Sequence, residues 1–292
     1  MLQSTEQFTL SPTPLKPKLD LDTLIETSLP SLPKGLMRIK TMLSDPNTST
    51  RAISEVISYE PNLVVRLLRL ANSTIYLLEK NVSTIAGALN VIGFKILNDL
   101  VMVEIAASSF NKEICKSAYS RKIWEHSLVV ALLAREISET LEMRGTEESF
   151  TCGLLHDIGK IILLSKDPEF FVKLLEIQGE KDMLMSEHQT YGYNHAEVGS
   201  LIARRWGLPE EIYYTILHHH NPSQSPQPMV VTHIVDVADL LANIKGYGVR
   251  SETSEKISFS DSAIKLGLSE PLLENCWNRV QPGLKHLINN FN

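Results

Sequence analysis

Thr151-Cys-Gly-Leu-Leu-His-Asp-Ile-Gly-Lys-Ile-Ile-Leu-Leu164 reads as an apolar helix with a polar pair, His156-Asp157, set inside it. A polar or charged group on a buried helical face must be paired or bound to a metal, because leaving it unsatisfied costs several kcal/mol. Imidazole and carboxylate are ligands that suit Fe, Mn, Zn, Co or Ni without choosing among them. An Asp beside a His can offer one oxygen to each of two ions. Lys160, four positions after His156, falls one turn along the same face, where it could meet a substrate phosphate.

Outward from this pair, eight of the nine histidines lie between positions 126 and 233. His126 and His195 lie in or open other apolar helices, and His218-His219-His220 close one. Asp236 and Asp239 lie in another, Val230 to Asn243. Helices that each donate such groups inward build a metal site in a bundle core. Of three consecutive helical residues, pointing about 100° apart, one must face solvent; His218 is the expected spare. His188 and His233 fit structural or supporting roles, and His286 a surface position. For His156-Asp157 itself, a hydrogen-bonded core pair is the bland alternative.

The rest of the chain is also helical by pattern. Leu63, Val64, Leu67, Leu68 and Ala71 form a stripe at helical period after Glu60-Pro61, and Asn72-Ser73 closes it. Thr50 and Ser83 are candidate caps for the helices that follow them, Gly93 ends one helix, and residues 94–109 resume another. Asn194 is placed to cap the helix to Trp206, and Ser260 and Ser269 to cap two closing helices. No stretch alternates at period two for long enough to make a strand. The expected fold is all-α, in two helical lobes: a flexible tail at 1–20, an N-terminal helical lobe at 21–115, a metal-binding lobe at 116–245 and a helical extension at 246–292.

Composition narrows the function classes. With 28 Lys+Arg against 34 Asp+Glu, the formal charge is −6, which argues against a general nucleic-acid coat. The hydrophobic fraction of 43% excludes wholesale disorder. Cys115, Cys152 and Cys276 are widely spaced, with no CxxC pair, as expected in a reducing cytosol. No basic start precedes an apolar run at the N-terminus, and uninterrupted apolar runs such as Val129 to Ala134 fall far short of the ~18–20 residues of a membrane span. A cytoplasmic protein with no membrane segment is expected.

The chain resembles the HDOD family, a branch of the HD superfamily of metal-dependent phosphohydrolases, over roughly residues 25–245. The resemblance rests on Leu29-Pro-Ser-Leu-Pro33, Arg66-Leu-Leu-Arg-Leu-Ala-Asn-Ser73, Gly153-Leu-Leu-His-Asp-Ile-Gly-Lys160, Asn194-His-Ala-Glu-Val-Gly199, Trp206-Gly-Leu-Pro209 and His219-His-Asn-Pro222. It implies an N-terminal helical lobe followed by an HD-like lobe, and a divalent metal site, in two-metal form, held by His126, His156, Asp157, His195, His219, His220 and Asp239. Asp236, one turn earlier, matches less well than Asp239. Two ions about 3.5–4 Å apart activate a water and clamp a phosphoryl group; Asp157 and Lys160 are then the expected catalytic residues. Arg66, Arg69 and Asn72 are candidate contacts for a phosphorylated small molecule or a signalling partner. Two departures weigh against analogy with the related HD-GYP phosphodiesterases. Lys122 stands where those with a third metal carry Glu, and Asn221-Pro222 follows the His pair with no Gly-Tyr-Pro motif. The expected function is a signal-transduction or regulatory module, with a phosphohydrolase acting on a nucleotide-type phosphoester as the alternative.

Overall fold

The computed structural model describes residues 20–21, 23–24, 33–73, 76, 82–108, 117–143, 146–175, 180–226, 229–249 and 260–291. Among them every regular element is helical, so the fold is all-α. All but the last residue of the expected tail, most of the Leu29–Pro33 motif, the lobe boundary near 115, residues 250–259 of the expected 246–292 extension and the His286 side chain lie outside the described residues or side chains.

The first helices are α1 (Lys34–Leu43), α2 (Thr50–Ile57), α3 (Pro61–Ala71) and α4 (Ile85–Ser108). Two caps shift by one residue from the sequence reading. The Ser49 hydroxyl accepts from the Ala52 N–H at 3.2 Å, so Thr50 is the first helical residue and not the cap. The Thr84 hydroxyl accepts from the Gly87 N–H at 3.1 Å, in the role expected of Ser83. Pro61 opens α3, where its missing N–H costs no bond, and Leu63, Leu67, Leu70 and Ala71 are buried.

The expectation that apolar stretches are short fails for α4. Ile85–Ile105, 21 residues, is long and apolar enough by length and composition to cross a membrane. Its charges are sparse and its polar residues scattered, so counting uninterrupted apolar runs missed it. Half of its most apolar window is buried inside the fold, and Gly93 breaks the helix with φ 77° and ψ 169°. Asn98, Asp99 and Glu104 are buried on its second half, which is the character of a core helix.

The second set comprises α5 (Ala118–Thr140), α6 (Thr146–Leu155), α7 (Ile158–Lys166), α8 (Pro168–Leu175), α9 (Glu180–Tyr191), α10 (His195–Arg205), α11 (Glu210–His218) and α12 (Val230–Ala242). After a turn through Tyr247 come α13 (Asp261–Leu266) and α14 (Glu270–Phe291). Helices α5 and α6 lie very close: a Cβ on Gly153 would fall 2.8 Å from the Ala131 Cα. Helices α7 and α10 approach closer still, since a Cβ on Gly159 would sit 1.9 Å from the His195 carbonyl oxygen. Buried apolar residues from Leu24 to Leu284 form one continuous core.

The segment around His156-Asp157 differs from its expected form in one respect. Thr151–Leu164 is two helices, not one: α6 ends at Leu155, α7 begins at Ile158, and His156-Asp157 is the joint between them. The break lets both side chains turn toward the same point, which adjacent residues on one helix, about 100° apart, do not do.

Candidate metal centre

Helix termini and joints supply most of the site. His126 lies mid-helix on α5, His156-Asp157 at the α6–α7 joint, and His195 at the first position of α10. His219 is the C-cap of α11 and His220 follows it, while Asp239 lies in the last turns of α12. The α10 terminus is set by a capping box: Asn194 Oδ1 accepts from the Glu197 N–H at 3.0 Å, and Glu197 accepts from the Asn194 N–H at 2.7 Å.

All seven side chains expected as ligands converge, from helices more than a hundred residues apart in the chain. They fall into two groups, Asp157–His195–His219–His220 and His126–His156–Asp239; within each, the potential ligand atoms lie within 4.8 Å of one another. The Asp157 carboxylate lies between them. Its Oδ1 is 3.4 Å from His195 Nε2 and 3.6 Å from His219 Nε2, and its Oδ2 is 3.4 Å from His156 Nε2 and 3.7 Å from His126 Nε2. His156, Asp157 and His219 are 0%, 0% and 1% exposed, and His220 is the least buried of the set.

The outer nitrogens of four of these rings are engaged. Nδ1 of His156 faces the Gly153 carbonyl at 2.7 Å, that of His219 the Ile216 carbonyl at 2.7 Å, and that of His126 the Tyr247 carbonyl at 3.2 Å. Nδ1 of His195 faces Glu187 Oε2 at 2.7 Å. A carbonyl can only accept, so each of the first three Nδ1 atoms carries a proton and donates it, which leaves Nε2 as the ring atom that faces the centre and can offer a lone pair to a cation. This is the orientation by which metal-ligating histidines are held.

The inward atoms fit a cation. His156 Nε2, His219 Nε2 and Asp157 Oδ1 are buried and make no hydrogen bond. His195 Nε2 and His220 Nε2 are 2.8 Å apart, and His126 Nε2 and Asp239 Oδ1 are 2.9 Å apart. Two lone pairs at such distances require a proton or a cation between them. Neutral imidazoles and carboxylates are donors that a divalent transition-metal ion takes. By this test the residues present fit a metal.

The electrostatics divide the rings: burial pushes His195 well below its ordinary value, whereas Asp157 and Asp239 hold His219 above its own in spite of burial. Burial pushes His156 down to about 3, against the pull of Asp157, so the ring is neutral at pH 7. Burial alone would raise Asp157, but Lys160 first and then His156 hold its carboxyl well below the usual range. Asp239, likewise buried, is held low by His126.

The other expected residues fall elsewhere or in unexpected roles. Lys160 is 5% exposed, and its Nζ donates to Asp157 Oδ2 at 2.6 Å. Arg66 pairs with Glu104 of α4 at 3.1 Å, Asn72 makes two hydrogen bonds with the Val82 backbone, and Arg69 is exposed on α3. His218 stacks on Tyr214, His233 bonds Ser262 at 2.8 Å, and His188 lies 3.6 Å from Glu197. Asp236 is half-buried on α12 and belongs to neither donor group. Sequence reasoning missed Glu187, which is fully buried behind His195 and accepts from its backbone N–H at 2.9 Å as well as from its ring. Burial pushes Glu187 up to about 7.

Known proteins place this architecture. Over 215 residues the chain is 29% identical to an uncharacterized protein of Treponema pallidum, covering 70% of this chain and 40% of that protein. Over 170 residues it is 29% identical to ribonuclease Y of Thermus thermophilus, covering 58% of this chain but 24% of the enzyme. The chain therefore spans well under half of either relative. Among solved structures, an HDOD domain protein of unknown function from Geobacter sulfurreducens superposes with TM-score 0.72 at 23% identity, covering 93% of this chain and 98% of that one. A Shewanella amazonensis chain provisionally named a phosphohydrolase gives 0.73 at 23% identity, covering 93% and 97%. The HDOD domain profile itself matches residues 29–222. With helical architecture, His/Asp cluster and profile in agreement over most of its length, the chain belongs to the HDOD domain family.

Proposed function

We propose that this protein is a regulatory HDOD module in which a divalent metal centre fastens the helices of the C-terminal lobe, and whose output passes to a signalling partner or follows a phosphorylated ligand. The observation that supports this reading is the seclusion of the donors. His156, Asp157 and His219 are at most 1% exposed, and the ammonium of Lys160 is spent on Asp157 at 2.6 Å. Such a centre holds an ion firmly, and His220 and Asp239 are its most exposed donors. Arg69, exposed on α3, is the available member of the N-lobe trio for a phosphorylated ligand or partner.

Elemental analysis of the purified protein tests the reading. Bound Fe, Mn, Zn, Co or Ni at one or more ions per chain is expected. Asp157→Asn, which keeps the side-chain shape but removes the charge shared by both donor groups, is expected to lower bound metal at least tenfold and to lower thermal stability. A metal-free wild-type protein that refuses added ions overturns it.

A second reading, a metal-dependent phosphohydrolase acting on a nucleotide-type phosphoester, is favoured by the completeness of the donor set and by the likeness to ribonuclease Y. A divalent ion here would supply Lewis acidity and fixed positive charge. The chain's own part is plain: Asp157 holds both donor groups in register, the carbonyl-anchored imidazoles keep their lone pairs inward, and Lys160 fixes the Asp157 carboxylate. Turnover of any member of a nucleotide and phosphodiester panel by Mn- or Fe-loaded protein, abolished in Asp157→Asn with folding retained, selects this reading. Metal-dependent stability without turnover selects the first.

A further inference from the structure

Glu187 is a buried carboxylate whose hydrogen bonds go to His195 and which feels the Lys160 charge, and its position answers an asymmetry between the two donor groups. The His126–His156–Asp239 group has a carboxylate of its own, and Asp157 Oδ2 also faces it, 3.4 Å from His156 Nε2 and 3.7 Å from His126 Nε2. The Asp157–His195–His219–His220 group has only the shared one, set among three imidazoles. Behind that group stands Glu187, 0% exposed, brought from α9 to the first residue of α10. Its Oε2 accepts from His195 Nδ1 at 2.7 Å and from the His195 backbone N–H at 2.9 Å, while Oε1 is buried and makes no hydrogen bond. Burying a carboxylate this way is costly unless its charge is used. The backbone bond fixes the carboxylate against the helix terminus, and the ring bond fixes the proton on Nδ1. His195 Nε2 must then point its lone pair at His220 Nε2, 2.8 Å away.

We propose that Glu187 is a positioning residue for the metal centre: through His195 it fixes the required tautomer and, when a cation is bound there, supplies negative charge to one donor group, and so sets the metal affinity of that group separately from the other. The inference rests on the metal-centre reading above. A carboxylate hydrogen-bonded to a ligating imidazole makes the ring a stronger donor, and loss of such a partner typically weakens metal binding about 10–100-fold. Because Glu187 touches only His195 among the seven donors with a hydrogen bond, its removal should act on one group and spare the other.

Cobalt(II) titration of the metal-stripped full-length protein, read by ligand-field absorption and by elemental analysis after dialysis, tests this in wild type, Glu187→Gln and Asp239→Asn. Glutamine keeps the shape and an accepting oxygen but removes the charge. The expected result is two classes of cobalt uptake in wild type. Glu187→Gln should weaken one class about 10–100-fold with an altered absorption spectrum, and Asp239→Asn should weaken the other. Thermal unfolding of each metal-free variant reports folding independently. Wild-type affinity and spectrum in Glu187→Gln overturn the role of Glu187 while leaving the metal centre standing. Equal weakening of both classes, with a lowered metal-free melting temperature, overturns it too and makes Glu187 a packing residue. A wild-type protein that binds no cobalt overturns the metal-centre reading itself.

Discussion

His156 and Glu187 are both buried beside the same cluster, yet burial moves their proton affinities in ways that act oppositely on stability. His156 is pushed from its ordinary 6.5 down to about 3, so the folded metal-free protein refuses a proton that the unfolded chain accepts. Its contribution is complete above about pH 6.5 and is lost as pH falls toward 3. Asp157 and Asp239, held below the ordinary 3.8, add to the loss in acid. Glu187 runs the other way: raised from 4.5 to about 7, it favours the folded state at low pH, and that contribution is lost as pH rises from 4.5 to 7. His195, which burial also pushes well below its ordinary value, adds a second acid-labile histidine, so Glu187 offsets only part of the loss, and below pH 4.5 its gain is complete. The urea midpoint of the metal-free protein should therefore fall from pH 6.5 to 4.5 and fall more steeply below that. A flat profile down to pH 3 would contradict this account of His156.

At the scale of helices, the site depends on how closely α7 lies on α10. Gly159 permits that approach, since a Cβ there would meet the His195 carbonyl oxygen at 1.9 Å, its carbon at 2.8 Å and the Gly199 nitrogen at 2.9 Å. These are backbone atoms and cannot swing aside. Gly159→Ala must separate the two helices, which carries His195 away from Asp157. The expected cost is about 3 kcal/mol, the upper range for overpacking, with a parallel loss of metal uptake; urea unfolding and elemental analysis check the two effects. Wild-type stability in this variant would show that the α7–α10 contact is looser than described.

Across the molecule, the donors come from five helices, α5, α7 with its preceding joint, α10, α11 and α12, and bring together positions 126 to 239. An ion that binds only when these helices are assembled stabilises the folded state by mass action, about 2.7 kcal/mol at a free concentration 100 times Kd. Chelation should lower the melting temperature and readdition of metal should restore it. Unchanged melting on removal of an ion shown to be bound would mean that the cluster is assembled by packing alone.

Much of this was legible from residue order. Helical periodicity, Pro61, Asn194 and Ser260 determine the helices because capping and burial of one face are local requirements. That imidazole and carboxylate inside apolar helices demand a partner was also legible, while the particular set of seven candidate donors came from the resemblance to the HDOD family. What only the tertiary structure decided is how those groups face one another. The break at His156-Asp157 lies in a stretch whose periodicity continues unbroken, so nothing local announces it. Lys160 looked free for a substrate until packing buried it against Asp157. Glu187 sits in Met-Ser-Glu-His-Gln, a run with no local sign of burial. Its role arises because α9 lies against the start of α10, a distance set by packing and invisible to sequence spacing.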